Sequence, residues 1–363
     1  MANHGRRIDA DQGIAGQSPR LFNGESMTRR WKRRPEGSNW GEFGDDDQLG
    51  SLNYIDAAAV LRAAREIREG RSFCLSLPLD YPGGRALAPI RFPPTLKPTE
   101  RDGRPVFNSQ VQSRTHFFCD VVCDDQVLMC TQYSTQWDSF AHVGSTFDLD
   151  GEGAQVPCFY NGFRAGIDVL PPEARVDNYA MTLGIDRFAV KAIQSRGVLI
   201  DLERHFGRAE KTISFEEMQN VMINDGVTVE PGDMVCIHTG FGDELLKMER
   251  KPDPDRLHHM CAALKGNDAA LHNWLSDKKV SALCADNFAV ERMEASPTAN
   301  ATHRLPLHQH CLFKRGIPLG ELWLFTELAL HLRAQRRNHF MLTAPPLRLT
   351  GAVGSPVTPV ATV

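Results

Sequence analysis

The stretch Thr131-Gln132-Tyr133-Ser134-Thr135-Gln136-Trp137-Asp138-Ser139-Phe140-Ala141-His142 is the strongest constraint on how this chain can fold. It sets a carboxylate and an imidazole among side chains suited to a core, where an uncompensated charge is expensive. Asp138 and His142 therefore need a hydrogen-bond network, a substrate or a metal ion as partner. The best complement in the rest of the sequence is His308 with Glu321.

A chain of 363 residues, 42% hydrophobic and 24% charged, can bury a large core in one big domain or two. A formal net charge of -4 argues against a nucleic-acid partner. No run approaches the roughly eighteen apolar residues of a membrane span, and the first residues lack an apolar signal core. The nine cysteines are odd in number and lack paired metal-type spacing, which fits reduced thiols in a cytoplasmic protein.

Residues 1–37 are polar and basic, ending in Arg29-Arg30-Trp31-Lys32-Arg33-Arg34, and read as an N-terminal extension. A domain over 38–350 follows, with 351–363 as a tail. Asp56 caps a helix over 57–67, and 73–79 alternates like a strand. Residues 81–112, rich in Pro, Gly and Arg, read as a long loop of the kind that covers binding sites. Strands are expected over 116–123 and 126–132, the second delivering the Asp138 motif. The second half alternates strands over 197–202, 234–240 and 280–284 with helices from Ser214 and over 259–275. Polar residues at the strand ends predict an α/β domain with a mixed sheet and a site at one rim.

The ordered series Trp40-Gly41, Leu49-Gly50-Ser51-Leu52-Asn53, Thr135-Gln136-Trp137-Asp138 with His142, Tyr160-Asn161-Gly162, Gly232-Asp233, Thr239-Gly240, Asp286-Asn287 with Glu291, Leu307-His308 and Gly320-Glu321 resembles the cyclase family, which includes bacterial kynurenine formamidases and isatin hydrolases. The resemblance runs from about Trp40 to Leu330 and implies the swivelling β/β/α fold of that family. Laid on its signature H-x-G-T-H-x-D-x-P-x-H, Thr135, Asp138 and His142 match. Gln132 and Gln136 stand where the first two histidines would be, Ser134 replaces the Gly and Phe140 the Pro.

In two-metal family members those two histidines help to hold one ion, so the resemblance implies that this chain has lost one site and kept the other. The retained set is Asp138, His142, His308 and Glu321, with His308 preferred to its neighbour His310. Two imidazoles and two carboxylates suit one divalent ion, zinc or manganese. Gln132 and Gln136 can orient a substrate carbonyl or a water. Trp137, Phe140, Phe147, Phe159, Tyr160 and Phe163 could wall an apolar pocket, whereas Asp286 and Glu291 read as structural.

The expected activity is metal-dependent hydrolysis of a carbon–nitrogen bond in a small cyclic or aryl amide by an activated water. Open alternatives are a lactone or ester hydrolase, a cyclase, or a non-catalytic, metal-free binding descendant. Expected partners are a small-molecule substrate and further copies of the chain, since family members are commonly dimers or higher assemblies; a homodimer or homotetramer fits. Neither nucleic acid nor membrane is expected.

Overall fold

Three segments too apolar to alternate, Gln194–Asp201, Met234–His238 and Ala282–Ala285, are buried almost throughout, as strands of a sheet covered on both faces must be. In the computed structural model, which describes residues 29–112, 115–293 and 302–363, they form the middle of a nine-stranded mixed sheet. In chain order its strands are β1 (Ser72–Cys74), β2 (Gln136–Asp138), β3 (Gln194–Asp201), β4 (Met234–His238), β5 (Ala282–Ala285), β6 (Leu319–Glu321), β7 (His339–Thr343), β8 (Gly354–Pro356) and β9 (Val360–Thr362). The spatial order is β1-β9-β7-β3-β4-β5-β6-β2-β8. Strands β3 to β6 are parallel, and antiparallel strands extend the sheet on both sides. The sheet is thus mixed, as expected.

Local sequence fixes the helices against it. The Asp56 side chain accepts from the Ala59 amide and starts the helix Ala57–Ala64. Ser214 and Glu217 form a reciprocal capping box for Phe215–Asp225, worth about 1 kcal/mol for the Ser cap alone. The expected helix over 259–275 is instead a strand Ala262–Leu264 followed by a helix Ala269–Asp277. Asp268 explains the break, because its carboxylate caps the later helix by accepting from the Ala270 and Leu271 amides.

Three boundaries differ from the sequence reading. The tail expected over 351–363 supplies β8 and β9, so it belongs to the sheet. Of the N-terminal extension, residues 1–28 lie outside the described residues, but Trp31 is buried in the core and Arg30 stacks 3.8 Å over the Phe163 ring. The 81–112 segment begins as loop and then enters a ribbon: Thr95–Pro98 pairs with Asp125–Leu128, and Ser109–Gln112 with Phe117–Val122. The ribbon leaves Phe117, Val121, Leu96 and Leu128 each more than 60% exposed. Among the described residues no helix is long and apolar enough to cross a membrane, and all nine cysteines are unpaired.

One close backbone approach joins the N-terminal segment to the segment that carries His308. Trp40 Nε1 donates to the Phe313 carbonyl at 2.8 Å, and the Ser51 amide to the Gly316 carbonyl at 2.7 Å. Gly50 and Gly316 both have positive φ, and a Cβ on Gly316 would come within 2.8 Å of Gly50 Cα and of the Tyr160 ring. No side chain fits there without moving backbone. Gly316→Ala is expected to lower stability by about 2–4 kcal/mol from combined overpacking and left-handed strain, measured by urea unfolding. A loss below about 1 kcal/mol would show that the two segments separate freely.

Candidate metal centre

The pairing of β2 with β6 builds the centre of the site. Register sets Glu321 opposite Gln136 and Leu319 opposite Asp138, and alternation along each strand puts Gln136, Asp138 and Glu321 on one face. Trp137 is thereby turned to the other face, where its indole donates to the Ala344 carbonyl and packs edge-on against Trp323. His308 enters from a helical turn, Pro306–His308, that continues as a π-helical segment, Gln309–Arg315.

Asp138, His308 and Glu321 are buried, and their ligand atoms lie within 4.8 Å of one another. His308 Nε2 is 3.1 Å from Glu321 Oε1. Glu291 holds the other side of the ring: its Oε1 is 2.7 Å from His308 Nδ1 and also accepts from the His308 amide, while Oε2 accepts from Leu307. This imidazole–carboxylate pairing fixes ring orientation, as partners of metal-bound histidines do. His142 Nε2 lies 3.9 Å from Asp138 Oδ1 with its side chain 22% exposed, so it borders the trio without joining its tight cluster. His310 faces elsewhere, stacked 4.3 Å on His272.

Gln132 and Gln136 each attend to one carboxylate. Gln132 Nε2 donates to Asp138 Oδ1 at 2.5 Å and Gln136 Nε2 to Glu321 Oε2 at 3.1 Å. Neutral amide donors thus do by hydrogen bonding part of what a second cation would do by charge. Two polar atoms stay buried with no hydrogen-bond partner, Asp138 Oδ2 and Gln136 Oε1. An orphaned carboxylate oxygen in a dry interior is costly, and a cation beside it removes that cost. The donor set, two carboxylates and an imidazole, fits a divalent ion.

The electrostatics agree. Burial pushes the Asp138 carboxyl up, helped by the nearby Glu321 charge, against the opposing pull of His142, His308 and Gln132. Burial would push Glu321 up too, but the His308 hydrogen bond and charge outweigh it, so its carboxyl is held low. Burial alone would push His308 down; hydrogen bonds to Glu291 and Glu321 win and lift it to about 10. Without an ion, an imidazolium takes the place of the metal's charge.

Three of the expected wall residues pack into the hydrophobic core. Trp137, Phe140 and Tyr160 are fully buried: Phe140 packs between Tyr160 and Phe188, and the Tyr160 hydroxyl donates to Asp47 at 3.2 Å. They are core because the opposite face of β2 and the segments after it point inward. A narrow cavity bordering Gln132 is lined instead by Leu87, Arg91, Tyr133, Phe288 and Leu322. Arg91 donates to the Gln132 carbonyl at 2.7 Å, and its charge reaches Glu321. Sequence reasoning flagged the loop carrying Arg91 but gave no signal for that residue, nor for Phe288.

In a second cluster, Asp201, Glu203 and His238, the two carboxylates are already matched by protein, while His238 Nε2 is buried without a hydrogen-bond partner. Arg333 donates to Asp201 Oδ2 at 2.5 Å and Oδ1 at 2.8 Å and also pairs with Glu203. His238 Nδ1 is 2.9 Å from Asp201 Oδ1.

A nine-stranded mixed sheet whose neighbouring strands bring Asp138 and Glu321 together with His308 defines an α/β protein with a candidate metal centre. The chain belongs to the cyclase family: the family model described as "Putative cyclase" matches residues 73–292. A crystal structure described as a novel cyclase is similar at 29% identity and TM-score 0.70, over 90% of this chain and 97% of that one. Isatin hydrolase A from Labrenzia aggregata, bound to benzyl benzoate, shares the fold at 13% identity and TM-score 0.50, over 81% of this chain and 93% of its own. An isatin hydrolase bound to the product analogue thioisatinate does so at 13% and 0.51, over 85% and 99%. No curated protein sequence matches.

Two outcomes are expected. Plasma mass spectrometry of the purified protein should find about one divalent ion per chain, as a single three-ligand donor set with an open position holds. His308→Ala should lose it, and Glu291→Gln should weaken it about 10- to 100-fold; full retention in His308→Ala would rule this centre out. Separately, burial raises the Asp201 carboxyl but the Arg333 and His238 bonds win and hold it well below the usual range. That stabilisation is present above the unfolded value of about 3.9 and lost as pH falls. Asp201→Asn should therefore be less stable at pH 7 and show a flatter decline between about pH 5 and 2 in thermal melts; an unchanged slope would refute the assignment.

Proposed function

We propose that this protein is a metal-dependent hydrolase of a carbon–nitrogen bond in a small cyclic or aryl amide. The convergence of Asp138, His308 and Glu321 on the unpartnered Asp138 Oδ2 carries this reading. That orphan oxygen speaks for a bound cation over a metal-free binding descendant. Asp138, His308 and Glu321 would hold the ion, with His142 beside them. A divalent ion there would supply Lewis acidity, polarising a carbonyl and lowering the pKa of water toward about 7.

The remaining work falls to the chain itself. Glu291 keeps His308 in one orientation through Nδ1, and Gln132 and Gln136 keep the two carboxylates aligned. His142, beside Asp138 and partly open to solvent, carries the proton to the leaving nitrogen in this reading. Leu87, Tyr133, Phe288 and Leu322 make the cavity edge beside Gln132 largely apolar, which favours an apolar substrate group there once the cavity opens. Arg91 complements the carboxylate that appears when a cyclic amide opens.

A panel of N-formyl arylamines, cyclic imides and lactones, assayed with zinc and with manganese, tests the proposal. Amide hydrolysis should be found and should fall at least a hundredfold in Asp138→Asn. Arg91→Ala should weaken inhibition by the carboxylate product about tenfold, the weight of one charge-assisted hydrogen bond. Turnover of lactones with none of amides would replace the amide reading with ester chemistry.

A further inference from the structure

On another part of the molecule, where the strand β3 and the helices Phe215–Asp225 and Thr326–Gln335 end, lies a cavity of about 330 Å³. Its rim carries Arg204, Arg333, Arg336 and Arg337 with the amides of Asn224 and Asn338. Two carboxylates, Asp201 and Asp225, also line it, and both are already matched. Asp201 is held by Arg333 and His238. Asp225 Oδ1 lies 3.2 Å from Arg204 and Oδ2 2.8 Å from His205. Glu203 also pairs with Arg333 and Glu66 with Arg337, so Arg336 is the one guanidinium of the four without a carboxylate partner among the described residues.

The unmatched donors sit on identifiable atoms. Arg336 is exposed. Arg337 spends Nη2 on the Glu66 carbonyl at 2.6 Å and lies 3.5 Å from the Glu66 carboxylate, while its Nη1 is buried with no hydrogen-bond partner. Asn338 Nδ2 donates to the Asp225 carbonyl at 2.8 Å, which leaves its side-chain oxygen and the Asn224 amide to face a polar ligand. Arginines near a helix C-terminus complement its dipole, and that accounts for Arg333 in the last turn of Thr326–Gln335. The same holds for Arg204 in the last turn of Leu202–Phe206, but not for the two arginines beyond the helix end.

We propose that this cavity is a binding site for a small multivalent anion bearing a phosphoryl group. Planar guanidinium forks match phosphoryl oxygens two at a time, and the volume lies in the range of small-ligand pockets. The site is separate from the carboxylate centre, whose lining shares no residue with it, and it does not depend on the proposed hydrolase activity.

Inorganic pyrophosphate titrated into the full chain at fixed ionic strength, followed by isothermal titration calorimetry, tests this. Wild type should show one saturable site. Arg336→Gln and Arg204→Gln, both at solvent-accessible positions whose change spares the core, should weaken it at least tenfold, and Asp138→Asn should leave it unchanged. Absence of saturable binding overturns the proposal. So does binding that is lost in Asp138→Asn and kept in the arginine variants, since the ligand would then be at the metal centre. Equal affinity for citrate would overturn the phosphoryl assignment.

Discussion

The structure depends on keeping negative charge in a dry interior. Asp138 and Glu321 lie on neighbouring strands with their carboxylates on one face, and both are almost wholly buried. Unopposed, that pair would cost several kcal/mol. Three devices oppose it: amide donors from Gln132 and Gln136, an imidazole between Glu321 and Glu291, and, in the proposed reading, a cation at the one carboxylate oxygen left without a donor. Each device comes from a different part of the chain, so the fold has to bring distant segments together before the charge can be tolerated.

The frame around the centre is correspondingly over-determined. His308 is fixed through its ring and its backbone amide by a single residue, Glu291. The π-helical turn that follows is tied at its end to the N-terminal segment through Trp40, Ser51 and the Gly50–Gly316 contact. β2 in turn is gripped between β6 and β8, and β8 comes from the last residues of the chain. Removing either end of the described chain would therefore loosen a strand or turn that carries a proposed ligand.

Much of this was legible in residues alone. Apolar runs at β3, β4 and β5 gave the buried strands, Asp56 and Ser214 gave helix starts, and the cost of burying Asp138 pointed to a distant complement. Three kinds of information were not legible. Strand register decides which neighbours of Asp138 face the site, so Trp137 looked like a pocket wall and is core. Pairing partners are non-local, so the ribbon of residues 95–128 read as a loop followed by two strands, and the last thirteen residues read as a tail although they supply one edge strand and the strand next to the other edge. Glu291 was legible as a structural residue, but nothing in the sequence says that what it holds is the Leu307–His308 turn and the His308 ring.

The reverse face of the ligand strands has a consequence of its own. Trp137 directly precedes Asp138, Trp323 lies two residues past Glu321, and their rings meet edge-on at 5.1 Å. Trp323 Nε1 also donates to the Gln136 carbonyl at 3.2 Å, so the indole is anchored to the strand whose far side bears the charge. Any adjustment of β2 against β6 when the centre is filled passes directly into this pair. The protein thus carries a built-in ultraviolet fluorophore whose emission reports on the spacing of the two strands, without a label and without a substrate.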